Sequence, residues 1–132
     1  MRQARAAIPD VSITTDIIVG FPGETESQFR ATIDILQDLK FNKVHVAAYS
    51  PRPGTIAIRK MADDVSVEDK KARLQAVEDV QEQISASLNA RLLGETIEVL
   101  VDGHHKGQWQ GRTRTDKLVF FQSDAQLIGQ LL

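Results

Sequence analysis

The stretch Asp16-Ile17-Ile18-Val19-Gly20-Phe21-Pro22-Gly23-Glu24-Thr25 constrains the fold more than any other part of the chain. Ile17 to Val19 are consecutive branched aliphatics, a pattern that suits a parallel strand covered on both faces. Gly20 and Gly23 bracket a proline, so the chain turns sharply just past the strand's carboxyl end. Thr25 with Gln28 three residues later predicts a capping box and the start of a helix. In α/β folds ligands bind at the carboxyl ends of parallel strands, which makes this turn a candidate site. Asp16 within the strand needs a partner if buried, and two readings stand: a hydrogen bond to a neighbouring turn, or a ligand role.

The pattern downstream completes a βαβ unit. Glu26 to Lys40 carries Phe29, Ile33, Leu36 and Leu39 at helical spacing, and Asn42 can adopt the left-handed exit conformation. Lys43 to Tyr49 then reads as a second strand, expected to be parallel to Val11–Val19 with a right-handed crossover. His45, flanked by Val44 and Val46, reads as a packed strand residue rather than a metal ligand. At that strand's end comes Ser50-Pro51-Arg52-Pro53-Gly54-Thr55, a stiff loop that would place Arg52 on the same rim as Gly20–Gly23. Arg52 suits either a rim salt bridge or recognition of a carboxylate or phosphate.

Ahead of this unit, residues 1–8 read as the end of a helix that Pro9-Asp10 terminates. Behind it, 56–65 reads as a connector containing Asp63 and Asp64. Ser66 caps a long helix whose apolar face is Leu74, Val77, Val80, Ile84, Leu88 and Leu92, its charges assigned to a solvated face, and Gly94 stops it.

From Glu95 the period becomes alternating. Ile97, Val99 and Val101 share a face, Asp102-Gly103 is expected to turn, and 109–113, 118–121 and 127–132 are short strand candidates. They suggest a small antiparallel barrel, or part of one. Arg112 and Arg114 alternate beside Trp109 and Lys117, which reads either as an RNA surface or as an ordinary solvated face. From Leu92 onward five acids stand against four Lys and Arg, so charge does not choose between the two. His104-His105 is too sparse for a metal site.

Composition excludes more than it identifies. The 132 residues suffice for one compact domain or two small pieces, and the net charge of −2 provides no whole-chain basic field for nucleic acid. No apolar run approaches the roughly 20 residues of a membrane helix, and a signal peptide's apolar core is missing, so no membrane partner and a cytoplasmic location are the default expectations. Cysteine is absent, which removes disulfides, thiolate nucleophiles and cysteine-ligated clusters from the chemistry of these residues.

Two separated motif sets carry a family resemblance. Thr14–Thr25 (Thr-Thr-Asp-Ile-Ile-Val-Gly-Phe-Pro-Gly-Glu-Thr) and Tyr49–Thr55 (Tyr-Ser-Pro-Arg-Pro-Gly-Thr) resemble the last part of a radical S-adenosylmethionine core, closest to the MiaB-type tRNA methylthiotransferases. Gly111-Arg112-Thr113-Arg114-Thr115-Asp116-Lys117 resembles that family's TRAM module, a small β-barrel taken to bind tRNA. The resemblance implies an enzyme that adds a methylthio group to C2 of N6-isopentenyladenosine near the anticodon, using S-adenosylmethionine and two [4Fe-4S] clusters. The cluster cysteines would then lie upstream of Met1, no cluster would be bound by this chain, no catalytic residue or metal ligand would lie in it, and the chain would be inactive alone.

The implied architecture is α/β. Residues 1–65 would form the last βαβ portion of a partial (β/α) radical SAM barrel, 66–92 a connecting helix, and 93–132 an incomplete TRAM domain. The family's loose Gly-x-Ile-x-Gly-x-x-Glu pattern near the cofactor's adenine is matched at Ile18 and Gly20. Asp16 replaces its first glycine, and Gly23 stands where its glutamate would be, with Glu24 one step later. The implied cofactor-binding residues are Asp16, Ile18, Gly20, Phe21, Tyr49 and Arg52, and the implied RNA-binding residues are Trp109, Arg112, Arg114 and Lys117, with tRNA as partner. Two other readings remain: a ribosomal-protein aspartate methylthiotransferase, and a non-catalytic RNA-binding module. Exposed strand edges lead to an expectation of self-association.

Overall fold

The computed structural model describes residues 1–132, which divide into two compact units. One unit is Ile13–Ala90, and the other groups Met1–Ser12 with Arg91–Leu132.

In the first unit, β1 (Thr14–Val19) and β2 (Lys43–Ala48) pair in parallel, from Thr14 opposite Lys43 to Val19 opposite Ala48. The connecting α2 (Glu26–Leu39) begins as expected: Gln28 N–H donates to Thr25 Oγ1 at 3.3 Å, and Thr25 N–H donates to Gln28 Oε1 at 2.9 Å. Its exit differs. Lys40, not Asn42, takes the left-handed conformation, with φ 47° and ψ 67°. Asn42 is engaged elsewhere, accepting the Ile13 N–H on its side-chain oxygen at 3.0 Å and donating its own N–H to the Ile13 carbonyl at 2.9 Å. That pair of hydrogen bonds fixes where the strand pair opens, so β1 starts at Thr14 rather than Val11.

Phe29 and Leu36 of α2 are buried in one core with Val19, Phe41, Val77 and Ile84, while Ile17, Val44 and Val46 pack against it. The expectation of a strand covered on both faces needs correction. Val19 is 0% exposed but Ile18 is 57% exposed, because α2 and the later long helix share a core with the Ile17/Val19 face alone. Thr14, Asp16 and Ile18, with Lys43, His45 and Ala47 beside them, line the open face. Asp16 is therefore solvated opposite His45 and needs no buried partner.

The expected connector contains a short helix, α3 (Ile56–Lys60), capped by Thr55 Oγ1 accepting the Ile58 N–H at 3.4 Å. Five residues are too few to display a helical period. The long helix α4 (Val67–Ala90) starts where Ser66 Oγ accepts the Asp69 N–H at 3.0 Å, and it ends two residues before Leu92. The helix expected to connect the modules, α4, packs into the core of the βαβ unit through Leu74, Val77, Val80, Ile84 and Leu88. Its charges are not all solvated, since Lys70 is buried. None of the helices is long and apolar enough to cross a membrane.

In the second unit, α1 (Arg2–Ala7) is helical, as expected for residues 1–8. The strands β3 (Val99–His105), β4 (Gln108–Thr113) and β5 (Leu118–Phe121) form an antiparallel sheet in that order. The hairpin turn falls at Lys106-Gly107, with φ of 50° and 80°, the paired positive values of a type I′ turn. Asp102-Gly103, expected to turn, instead lies inside β3 at a register shift between Val101 and Gly103. The Leu127–Leu132 segment is not a regular strand but pairs with the other edge of β3. Val99 N–H donates to the Leu132 carbonyl at 2.8 Å and Val101 N–H to the Gln130 carbonyl at 2.9 Å. The small core is Val101, Trp109 and Leu127, with Phe121 against it. Trp109→Ala should destabilise the protein by about 3–5 kcal/mol in urea unfolding, as truncation of buried Trp generally does.

Candidate functional site

The carboxyl ends of β1 and β2 meet at a cavity of about 290 Å³ lined by Ile18, Phe21, Ala47, Ala48, Tyr49, Ser50, Arg52, Thr55 and Ala57. Each wall has a local cause. Ile18 and Ala47 are register partners on the open face of the sheet. Phe21 is carried by the turn after β1, and Tyr49 follows β2, its N–H donating to the Val19 carbonyl at 2.8 Å. The two rings meet edge to face with centroids 5.1 Å apart, a favourable aromatic geometry. Arg52 is held by Thr55, whose N–H and Oγ1 both donate to the Arg52 carbonyl, at 3.3 and 2.8 Å. Thr55 thus fixes the loop and caps α3 at once. Thr55→Val should loosen both, raising amide exchange over 56–60 severalfold while leaving the Phe29–Leu36 core unaffected.

Four of the six expected cofactor residues, Ile18, Phe21, Tyr49 and Arg52, line this one cavity. Asp16 and Gly20 do not. Asp16 sits further back on the open face, and Gly20 is buried behind the turn. Gly20 has φ 68°, and a Cβ there would stand 2.3 Å from Lys70 Cγ. Its glycine is required by the close approach of an α4 side chain.

The turn is fastened from behind by charged residues, among them Lys70 and Arg73 of α4, whose charges were expected on a solvated face. Gly20 N–H donates to Glu24 Oε2 at 2.6 Å, and Arg73 Nη1 donates to the same oxygen at 2.7 Å and to the Glu24 carbonyl at 3.1 Å. The side chains of Arg73 and Glu24 are only 11% and 13% exposed. Gly23 N–H donates to Asp64 Oδ1 at 2.7 Å, and Lys70, 7% exposed as a residue, forms an ion pair with Asp63. Lys70 Nζ also lies 5.2 Å from the centre of the Tyr49 ring. Acids at 63 and 64 ahead of cations at 70 and 73 were the visible signal. Their convergence on the turn was not.

Chemically, the cavity offers apolar and aromatic walls with a guanidinium at the rim. It is near the lower end of small-ligand sites, about 300 Å³, so it suits one flat ring system with a polar or anionic extension toward Arg52. An iron–sulfur cluster does not fit these residues: the chain has no cysteine, and no group of three His, Asp or Glu side chains converges to hold a metal ion.

In the second unit, the expected RNA-binding residues are not grouped as alternation alone implied. Trp109 is buried and donates its indole N–H to the Ser123 carbonyl at 3.0 Å, so its ring packs the core and leaves no face for a base. Arg112 bonds Asp116 at 2.8 Å and Asp102 at 3.2 Å, which hold its pKa above the ordinary arginine value, Asp116 being the larger cause. Arg114 pairs with Glu98, and Lys117 N–H donates to Thr113 Oγ1 at 3.1 Å. The exposed aromatic is Phe120, at 55%. Phe120 pairs with Gln110 and Leu118 with Arg112, so these four share one face of the sheet. Alternation in 118–121 could have found Phe120; nothing local separated it from Trp109.

Comparison with known proteins finds relatives for the residues of both units. Residues 90–132 match the TRAM domain family. A tRNA-2-methylthio-N(6)-dimethylallyladenosine synthase of Chloroflexus aurantiacus is 53% identical over 98% of this chain and 28% of its own length. The synthases of the same name from Dehalococcoides mccartyi strain CBDB1 (48% identical, 100% of this chain, 32% of the relative) and Roseiflexus sp. strain RS-1 (52%, 98% and 28%) agree. The chain spans about three-tenths of the length of these relatives. Along essentially its whole length the chain is homologous to one stretch of the tRNA-2-methylthio-N(6)-dimethylallyladenosine synthases, and its residues 90–132 match the TRAM domain family.

Proposed function

We propose that this chain is part of an enzyme that adds a methylthio group to C2 of N6-isopentenyladenosine in tRNA, supplying part of the cofactor pocket and an RNA-binding module. The single observation that carries the reading is near-50% identity, over the whole chain, to synthases named for this reaction. The βαβ unit with α4 is then the end of a partial radical SAM barrel, whose open Thr14/Asp16/Ile18 face looks inward. S-adenosylmethionine, when bound, supplies the methyl group and initiates the radical chemistry. Phe21, Tyr49 and Ile18 would bind its adenine, and Arg52 would orient its carboxylate or the target nucleotide's phosphate. The iron–sulfur clusters belong to parts of the enzyme other than these residues. A cytoplasmic location, where tRNA is modified, belongs to the same proposal.

The test is mass spectrometry of tRNA nucleosides from a strain lacking its own synthase and supplied with the full-length enzyme. Appearance of the 2-methylthio nucleoside supports the reading; a modified ribosomal-protein aspartate with unmodified tRNA would replace it. Arg52→Ala should lower product formation by at least tenfold; unchanged cofactor binding and activity would remove Arg52 from the site.

For the TRAM domain, Arg112, Arg114 and Lys117 are proposed phosphate contacts. Because Arg112 and Arg114 already hold carboxylates, they reach RNA by exchanging partners, so charge reversal at all three should weaken tRNA binding less than three free cations would. The measurement is tRNA affinity against salt: a slope unchanged from wild type rejects these contacts. Self-association through the β1–β2 edges is part of the proposal for the chain alone, and a monomeric mass in light scattering would reject it.

A further inference from the structure

The pocket walls include three segments, the turn at 20–24, Tyr49, and the loop entering α3. The first turns of α4 reach the structures behind all three. The Lys70 stem lies under Gly20 so closely that no Cβ fits between them. Its ammonium faces the Tyr49 ring at 5.2 Å and pairs with Asp63, which follows α3 in the chain. The neighbouring Asp64 accepts the Gly23 N–H, closing the circuit back to the turn. A lysine this buried is costly unless its charge is satisfied, and here Asp63 and the Tyr49 ring provide for it.

We propose that Lys70 is a positioning residue for the pocket: it sets the spacing between Phe21, Tyr49 and the α3 segment, and so the width of the slot into which a purine ring inserts. It does not itself line the cavity and acts through Tyr49, Gly20 and Asp63. The inference rests on the proposed cofactor pocket for its ligand, but the mechanical coupling stands on the geometry alone. Removing the ammonium frees Tyr49 to rotate off Phe21 and lets 55–64 lift from the turn.

The experiment uses the full-length enzyme with Lys70→Met, which keeps the stem, Lys70→Arg, which keeps the charge, and Tyr49→Ala as the pocket control. Three quantities are read: equilibrium binding of S-adenosylmethionine, binding of tRNA, and amide exchange at Gly23 and over 49–64 without cofactor. Lys70→Met should weaken S-adenosylmethionine about tenfold, leave tRNA affinity unaltered and accelerate exchange at Gly23 and 55–64, with Lys70→Arg restoring most of both. If Tyr49→Ala weakens the cofactor and Lys70→Met stays within twofold of wild type, the positioning role is overturned and the pocket reading survives. If Tyr49→Ala changes nothing, the pocket reading falls, and exchange decides the coupling: faster exchange in Lys70→Met supports it, unchanged exchange overturns it. Should Lys70→Met fail to fold, Lys70→Met with Asp63→Asn, which leaves no unpaired charge, carries the same readings.

Discussion

Replacing Arg73 with Met should cost the folded protein about 3–5 kcal/mol, the range seen when one partner of a buried ion pair is removed. Both side chains of the Arg73–Glu24 pair are nearly enclosed, so the carboxylate left behind has little water to turn to. Glu24 would keep the Gly20 N–H but lose both of its bonds to the guanidinium, one on the carboxylate and one on its own carbonyl. Urea unfolding measures the loss. Adding Glu24→Gln should recover part of it, because the stranded charge is then gone. A loss below about 1 kcal/mol would mean that the pair behaves as a surface salt bridge, contrary to its enclosure.

Gly20→Ala should destabilise the protein by roughly 2–5 kcal/mol, combining about 1–2 for a left-handed alanine with about 1–3 for overpacking. The second part has a specific origin, the 2.3 Å approach of the new Cβ to Lys70 Cγ. Lysine is flexible, but this one is held at its far end by Asp63, so it cannot simply swing away. Gly23→Ala is the comparison. It too has positive φ, 82°, but nothing lies within 4 Å of its added Cβ, so it should show only the conformational part. Equal losses at the two positions in thermal unfolding would show that the packing against Lys70 is slack.

Much of the first unit could be read from local pattern because its causes are local. Thr25 and Gln28 cap α2 within one turn, and Phe29 to Leu36 present one face whatever lies opposite. Ser66 and Asp69 open α4 in the same way. The candidate site was legible to the same extent: Phe21 and Arg52 had to flank the strand ends once the strands were parallel, and the cavity unites them with Ile18 and Tyr49. Short elements escaped because five residues of α3 cannot show a period, and the bulge in β3 made Asp102-Gly103 look like a turn.

What the amino-acid sequence determined by itself was therefore the longer elements, the parallel pairing, the turn after β1 and the family of its relatives. Each follows from neighbours in the chain or from motif order. Only the tertiary structure decided which charges are buried and which aromatic is exposed. Lys70 and Arg73 read like any helical surface residues until α4 crosses behind the turn, and burial there is decided by what the helix packs on. Trp109 and Phe120 are both strand aromatics, and the pairing register sends one into the small core and the other to solvent. Composition and period are properties of one segment. Burial belongs to two or more.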